Sequence, residues 1–262
     1  MSGGAAPFPS RAERRELAAR EGRVARILTF SAVDGPGNRA AVFLQGCSFD
    51  CVYCHNPETR PAVTAKARPD EQPAWPRAMT ALGVVAAVWP YRAFLSGVTV
   101  SGGECGEQPD FLSALVGLFG GLGLPALVDT NGSLDYAARP DIVERAAGFM
   151  LDLKAWDPVE HRRLTGADNA LVIANLRFLA AAGKLVELRT VVSPGLFDAD
   201  STVRHGAREL AASGSAARYA LIRFRPQGTR KAARDLPRPD DATMERLAAI
   251  AREEGAKDVR II

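Results

Sequence analysis

The stretch AAVFLQGCSFDCVYCHN, residues 40–56, runs from a block of strand-forming apolar residues straight into a loop that holds three cysteines. Ala41 to Gln45 is a short apolar run closed by glycine, as expected of a strand buried on both faces within a parallel sheet. Cys47, Cys51 and Cys54 follow at C-x3-C-x2-C spacing, so three thiols issue from the carboxyl end of one strand. In folds built on parallel strands that end of the sheet carries the chemistry.

Outward from there the chain alternates β-rich runs with longer Ala/Leu-rich segments of helical spacing, the pattern of repeated βα units. Further strands are predicted at Val24–Thr29, Val98–Ser101, Ala126–Asp129, Phe149–Leu153, Val186–Val192, Leu221–Phe224 and Val259–Ile262. Helices are predicted at Pro109–Leu118, Asp141–Ala147, Ala170–Ala182, Thr202–Ala212 and Ala242–Glu254, the third stopped by Gly183. Six such units give the fold class: α/β, a partial, incomplete parallel (β/α)6 TIM-like barrel, although a doubly wound sheet would place its strand-end loops in the same way. Those loops read QGCSFDC, SGGEC, DTNG, DLK, RTVVSPG and RFRPQG. Residues 1–22 are expected to form a flexible N-terminal tail with a short helix near Arg11–Arg20, and residues 23–262 the core domain with a C-terminal extension. Glu58–Pro76 reads as an extended, proline-rich loop without cysteine.

Composition narrows the classes of partner. The 33 basic and 30 acidic residues leave a net charge of +3 over 262 residues, without the basic stripe of a nucleic-acid binder, so no nucleic-acid partner is expected. No apolar run approaches the roughly 20 residues that span a bilayer, and the start lacks the apolar middle of a secretion signal. A cytoplasmic location without membrane attachment is the expectation. Four cysteines, three of them within eight residues, suit a metal centre in a reducing compartment better than a disulfide framework.

Three cysteines are one short of a complete shell. A 4Fe-4S cluster held by three thiolates leaves one iron open to an outside ligand. S-adenosylmethionine can chelate that iron with its amino and carboxylate groups, which puts its sulfonium where a reduced cluster can deliver an electron. The plainer alternative is a structural zinc site completed by His55 or Cys105, although zinc sites normally use paired C-x2-C spacings. Gly102 and Gly103 allow close approach to the backbone, Glu104 supplies an acceptor suited to an ammonium, and Lys154 and Arg189 supply fixed positive charge. Alone, SGGE would be a strand-ending turn and the two cations a solvated rim. His161 and His205 are expected in helix-linked surface segments with structural roles, and Trp156 in the core.

The C-x3-C-x2-C loop, with aromatic Tyr53 before its last cysteine, resembles the signature of radical S-adenosylmethionine enzymes. VDGPGNR at Val33–Arg39, FLQGC, VTVSGGE, LVDTNG, MLDLKAW, HRRLTGADN and ELRTVVSPG are similar in order and approximate spacing to the activating enzymes of glycyl radical enzymes, the pyruvate formate-lyase activase group. MLDLKAW and GKLVELR look most like its YjjW-type branch. The resemblance implies that Cys47, Cys51 and Cys54 ligate a 4Fe-4S cluster and that Tyr53 lies beside the adenine. It further implies that Gly102, Gly103, Glu104, Lys154, Arg189 and Arg225 contact S-adenosylmethionine. Asp129, Thr130, Asp152 and the Met150 carbonyl would help hold a monovalent cation, and Asp34 and Gly35 would meet the partner's glycine loop. It implies an oxidoreductase that cleaves S-adenosylmethionine reductively and abstracts hydrogen from a glycine of a partner glycyl radical enzyme.

Three departures bear on those implications. No cysteine-rich ferredoxin-like insert follows the cluster loop, so electrons are expected from an external flavodoxin- or ferredoxin-type donor. Arg225 stands where the pyruvate formate-lyase activase has a histidine. Cys105 replaces the proline or small residue that usually follows SGGE, and is expected to be a buried, inert thiol. Two rival readings are a radical S-adenosylmethionine enzyme acting on a peptide or small molecule, and a non-enzymatic zinc module.

Overall fold

A computed structural model describes residues 10–61 and 76–262, so the first nine residues of the expected tail and most of the proline-rich loop lie outside the described residues. The chain falls into two compact units. The first comprises the described parts of Met1–Gly46, Pro61–Asp129 and Tyr136–Gly148, and the second Cys47–Arg60, Thr130–Asp135 and Phe149–Ile262.

The first unit opens with helix α1 (Arg11–Ala19), at the place of the short helix expected near Arg11–Arg20. The helix is nucleated by a reciprocal cap: Ser10 Oγ accepts from the Glu13 amide and Glu13 accepts from the Ser10 amide, while Leu17 on its inner face is buried. Strand β1 (Glu21–Ser31) pairs antiparallel with both β2 (Arg39–Leu44) and β3 (Arg77–Thr80). After α2 (Ala81–Val88), strand β4 (Gly97–Gly102) pairs parallel with β2 on one side and with β5 (Ala126–Thr130) on the other. Between β4 and β5 runs α3 (Pro109–Gly121), buried without interruption from Phe111 to Phe119, and α4 (Pro140–Arg145) follows β5. All six residues of β2 are buried, which is why its sequence after Arg39 is a continuous apolar run rather than an alternating one.

The second unit carries β6 (Gly148–Asp152), then α5 (Pro158–Thr165) and α6 (Ala170–Ala181), β7 (Leu185–Val192), α7 (Ala199–Ala212), β8 (Arg218–Arg223), α8 (Asp241–Glu253) and β9 (Asp258–Ile261). β6, β7, β8 and β9 pair in that order, all parallel. α6 ends as its sequence predicts, with Gly183 at φ +66° in the left-handed region. β2, β4, β5, β6, β7 and β8 are the six strands of the expected repeats; β4 to β8 each lead into a helix before the next strand, while β2 is followed by β3 and then α2. All of the predicted strands and helices are present; α2, α5 and β3 are additions.

Candidate active site

The cysteine loop begins where β2 ends, and in the second unit it is fixed by α5. The Asp50 and Val52 amides donate to the Thr165 and Leu164 carbonyls at 2.6 and 2.9 Å, so the loop completes hydrogen bonds at the end of that helix. α5 is itself sharply bounded: Asp157 caps the amides of Val159 and Glu160 ahead of Pro158, and Gly166 at φ +77° stops it. His161 on α5, expected on the surface, is completely buried. Its ring packs edge-on against Phe49 of the loop at 5.4 Å and its Nδ1 lies 2.9 Å from the Ala167 carbonyl, so the loop covers it. Trp156, expected in the core, is half-buried and stacks on His205 at 4.7 Å.

None of Cys47, Cys51, Cys54 and Cys105 is in a disulfide. Cys51 is buried, whereas Cys47 and Cys54 are partly exposed, and the Cys54 amide closes a turn on the Cys51 carbonyl at 3.2 Å. Burial pushes the Cys51 thiol up, and Lys154 draws it back toward the thiolate that binds iron. Asn131 Nδ2 approaches Cys47 Sγ at 3.6 Å. Sequence reading passed over Asn131, although it stands in DTNG beside Thr130. No three His, Cys, Asp or Glu side chains converge on a single-ion position among the described residues. An iron-sulfur cluster asks for a different arrangement, because each thiolate binds its own iron. A soft three-thiol loop, a hydrogen-bond donor on one sulfur and a cation near another fit that group.

Tyr53 is buried in an apolar cluster with Ala155, Leu164, Phe197, Phe224 and Ala233, and its buried hydroxyl has no hydrogen-bond partner. Lys154 Nζ stands 5.8 Å from the centre of that ring and 2.6 Å from Asp152 Oδ2. Burial works against the Lys154 charge, but the acidic groups around it, Asp152 first, outweigh burial and hold it well above the usual lysine range. On β7, Arg189 Nε lies 2.5 Å from Glu187 Oε1 and its other arm reaches Met150 Sδ at 2.9 Å. Glu187, two residues away on the same face and not singled out from sequence, is the buried carboxylate that sets the Arg189 guanidinium. Arg225 points its side chain to solvent; its backbone carbonyl instead meets His55 Nε2 at 2.8 Å. Burial lowers the His55 ring from the usual histidine value, against the bond to the Arg225 carbonyl, which raises it. Thr130 Oγ1 accepts from the Gly132 amide at 3.0 Å.

In the first unit, SGGE runs beside the end of β2: Gly103 and Glu104 amides donate to the Leu44 and Gly46 carbonyls at 3.1 and 2.8 Å. Gly102 has φ +131°, and a methyl group there would fall on the Leu44 carbonyl and amide. Gly102→Ala is therefore expected to destabilise the chain by about 3 kcal/mol, measured by urea unfolding of the cluster-free protein; a change of a few tenths would contradict this packing. Glu104 is buried, and one of its oxygens accepts the Gly106 amide at 2.8 Å. Asp129 accepts from Ser101 Oγ at 2.9 Å. Asp34 is tied to Ser31 Oγ at 2.5 Å, and its carbonyl accepts from Thr99 at the same distance. Gly35 and Gly37 on either side of Pro36 both have positive φ, which makes VDGPG a fixed turn.

Cys105 is fully buried, with Sγ 3.4 Å from the Asp129 carbonyl. Burial, then Glu104 and Asp129, push this thiol well up. Iodoacetamide at pH 8 on the cluster-free chain should label Cys47 and Cys54 and spare Cys105 until the chain unfolds; equal labelling rates in the native state would refute its burial. Because folding raises this pKa, the contribution of Cys105 to stability is complete below the unfolded thiol value of about 8.5 and is lost as pH rises toward the folded value.

Three cysteines on one loop at the end of a parallel strand, near the Asp152–Lys154 pair, are a set of groups that fits an iron-sulfur centre. Residues 41–204 match the Radical SAM superfamily, more than half of the chain, and the chain belongs to that superfamily. Within it, the chain is 36% identical over 182 residues to the pyruvate formate-lyase-activating enzyme of Streptococcus mutans, covering 66% of this chain and 65% of that protein, just under two thirds of its length. It is 28% identical over 253 residues to the pyruvate formate-lyase 1-activating enzyme of Escherichia coli K12, covering 90% of this chain and 97% of that one. Among solved structures, a radical SAM methyltransferase from Sphaerobacter thermophilus shares the fold at a TM-score of 0.61, with 19% identity, over 97% of this chain and 82% of that one. The α/β class with its six βα repeats is thus the fold the chain shares with this superfamily.

Proposed function

We propose that the chain is a glycyl radical enzyme activase. When bound, a 4Fe-4S cluster on Cys47, Cys51 and Cys54 would supply one electron to S-adenosylmethionine, giving methionine and a 5′-deoxyadenosyl radical that takes hydrogen from a glycine of the partner. The observation that carries this reading is the cysteine loop held by α5, together with similarity to proteins named as pyruvate formate-lyase-activating enzymes. Lys154 and Arg189, each oriented by its own carboxylate, would bind the cofactor's carboxylate or ribose hydroxyls with little reorganisation. Gly102 and Gly103 would let it approach the backbone, Glu104 would accept from its amino group, and Tyr53 would shield its base. Asp129 in the first unit, and Thr130 and Asp152 in the second, carry hard oxygen atoms of the kind that a monovalent cation prefers. Asp34 and Gly35, fixed in the VDGPG turn, would present themselves to the partner's glycine loop. The chain lacks any helix long and apolar enough to cross a membrane among the described residues, and we place the reaction in the cytoplasm.

The test is anaerobic reconstitution with iron and sulfide, chemical reduction, and measurement of 5′-deoxyadenosine, followed by a search for a glycyl radical signal on pyruvate formate-lyase. An intact reduced cluster that yields no 5′-deoxyadenosine would refute radical initiation. Product without a glycyl signal would move the target toward a peptide or small molecule. Zinc without iron after anaerobic preparation would leave a binding module.

A further inference from the structure

We infer that the segment from Arg225 to Arg238 is the docking surface for an acidic one-electron carrier protein that reduces the centre on the cysteine loop. This rests on the reading that the loop carries a redox cluster. The segment, RPQGTRKAARDLPR, holds five basic residues and one acidic, Asp235, a net charge larger than the +3 of the whole chain. Lys231, Arg234 and Arg238 are exposed, and their side chains make no ion pair among the described residues. Most other surface arginines of this unit are neutralised: Arg162 by Asp168, Arg177 by Glu209, Arg208 by Glu254 and Arg246 by Asp200. Within this unit, a run of cations without ion pairs among the described residues therefore falls on this segment.

The same segment is bound to the cysteine loop at three points. The Arg225 carbonyl meets His55 Nε2 at 2.8 Å, directly after Cys54. Arg230 pairs with Asp50, directly before Cys51, and Arg60 pairs with the same carboxylate at 2.8 Å, so two guanidiniums face one anion. Ala233, between Lys231 and Arg234, is buried in the apolar cluster that contains Tyr53. Lys231 and Arg234 are thus carried on a short turn whose inner face is anchored beside the residue preceding Cys54. A positive field at that place attracts an acidic carrier and orients it toward the loop, raising encounter rates by about 10 to 1,000-fold at low salt. The carrier transfers one electron and no atoms: a flavodoxin hydroquinone, for example, becomes its semiquinone.

The test uses the reconstituted chain and its Lys231→Glu/Arg234→Glu form, neither residue being part of the proposed cofactor site. Binding of an acidic flavodoxin, followed calorimetrically at low ionic strength, should weaken at least tenfold in the double variant and lose its salt dependence; equal affinity would overturn the proposal whatever the activity. With photoreduced 5-deazariboflavin, a small neutral donor, both forms should make 5′-deoxyadenosine at rates within a factor of two. With limiting reduced flavodoxin, the variant should be at least tenfold slower. Equal flavodoxin-driven rates would also overturn the docking site. Failure of the parent chain with the small donor would instead refute the radical reading, and the binding measurement would still decide the surface.

Discussion

Cys51→Ala will lower 5′-deoxyadenosine formation to the level of the cluster-free chain, while Cys105→Ala will retain it. Replacing residues that merely support a metal ligand commonly costs 10 to 100-fold, so loss of a ligand itself should exceed about 100-fold. Cys51 is the buried member of the loop trio, in the electrostatic reach of both Lys154 and Cys54, and its thiolate has the least access to a substitute ligand from solvent. Cys105 has the opposite environment, fully enclosed beside Glu104 and Asp129, both of which oppose its ionisation. The measurement is 5′-deoxyadenosine formed per reconstituted cluster, alongside iron content. Retained activity in Cys51→Ala with loss in Cys105→Ala would mean the ligand set is misassigned.

Glu187→Gln will destabilise the cluster-free chain by about 3 kcal/mol, because it removes the charge of a buried carboxylate that faces Arg189 on its own strand and Arg218 on the next. For a chain of this size that corresponds to a fall in Tm of roughly 6–12 °C. The pair of Arg246 and Asp200 is the internal control: both partners are about half exposed, and Asp200→Asn should cost less than about 1 kcal/mol. Urea unfolding of both variants separates the cases. If they shift the midpoint equally, Glu187 is not a buried anchor and Arg189 is not held as described.

Most of the fold was legible because its strands are short buried runs with polar or glycine ends, a local signal. α2 was not, since ALGVVAAV mixes β-branched residues and alanine without a polar face; only Thr80, whose Oγ1 caps the Gly83 amide at 3.0 Å, marks its start. β3 exists through its pairing with β1, a partner more than fifty residues away in sequence, and RAMT has no pattern of its own. Cys47, Cys51, Cys54, Asp152 and Lys154 stand in contiguous motifs, which is why the sequence singles them out. Asn131 and Glu187 act through contacts made by folding, on Cys47 and on Arg189, and their residue types alone carry no such message. His161 was misplaced for the same reason: HRRLTG is polar, and the ring is enclosed through contacts made by folding, among them that with Phe49.

Gly102 is required by packing, since its neighbour on β2 leaves no room for a methyl group, whereas on the proposed reading the three cysteines of the loop are required by what they bind. A descendant that lost its cofactor and survived as a scaffold would be released from one constraint and still held by the other. Its cysteines would drift to serine, alanine or tyrosine while Gly102 stayed in place. In such a lineage the glycine motif would be a relic of folding and no sign of retained catalysis, so a catalytic assignment in this superfamily has to be read from the thiols.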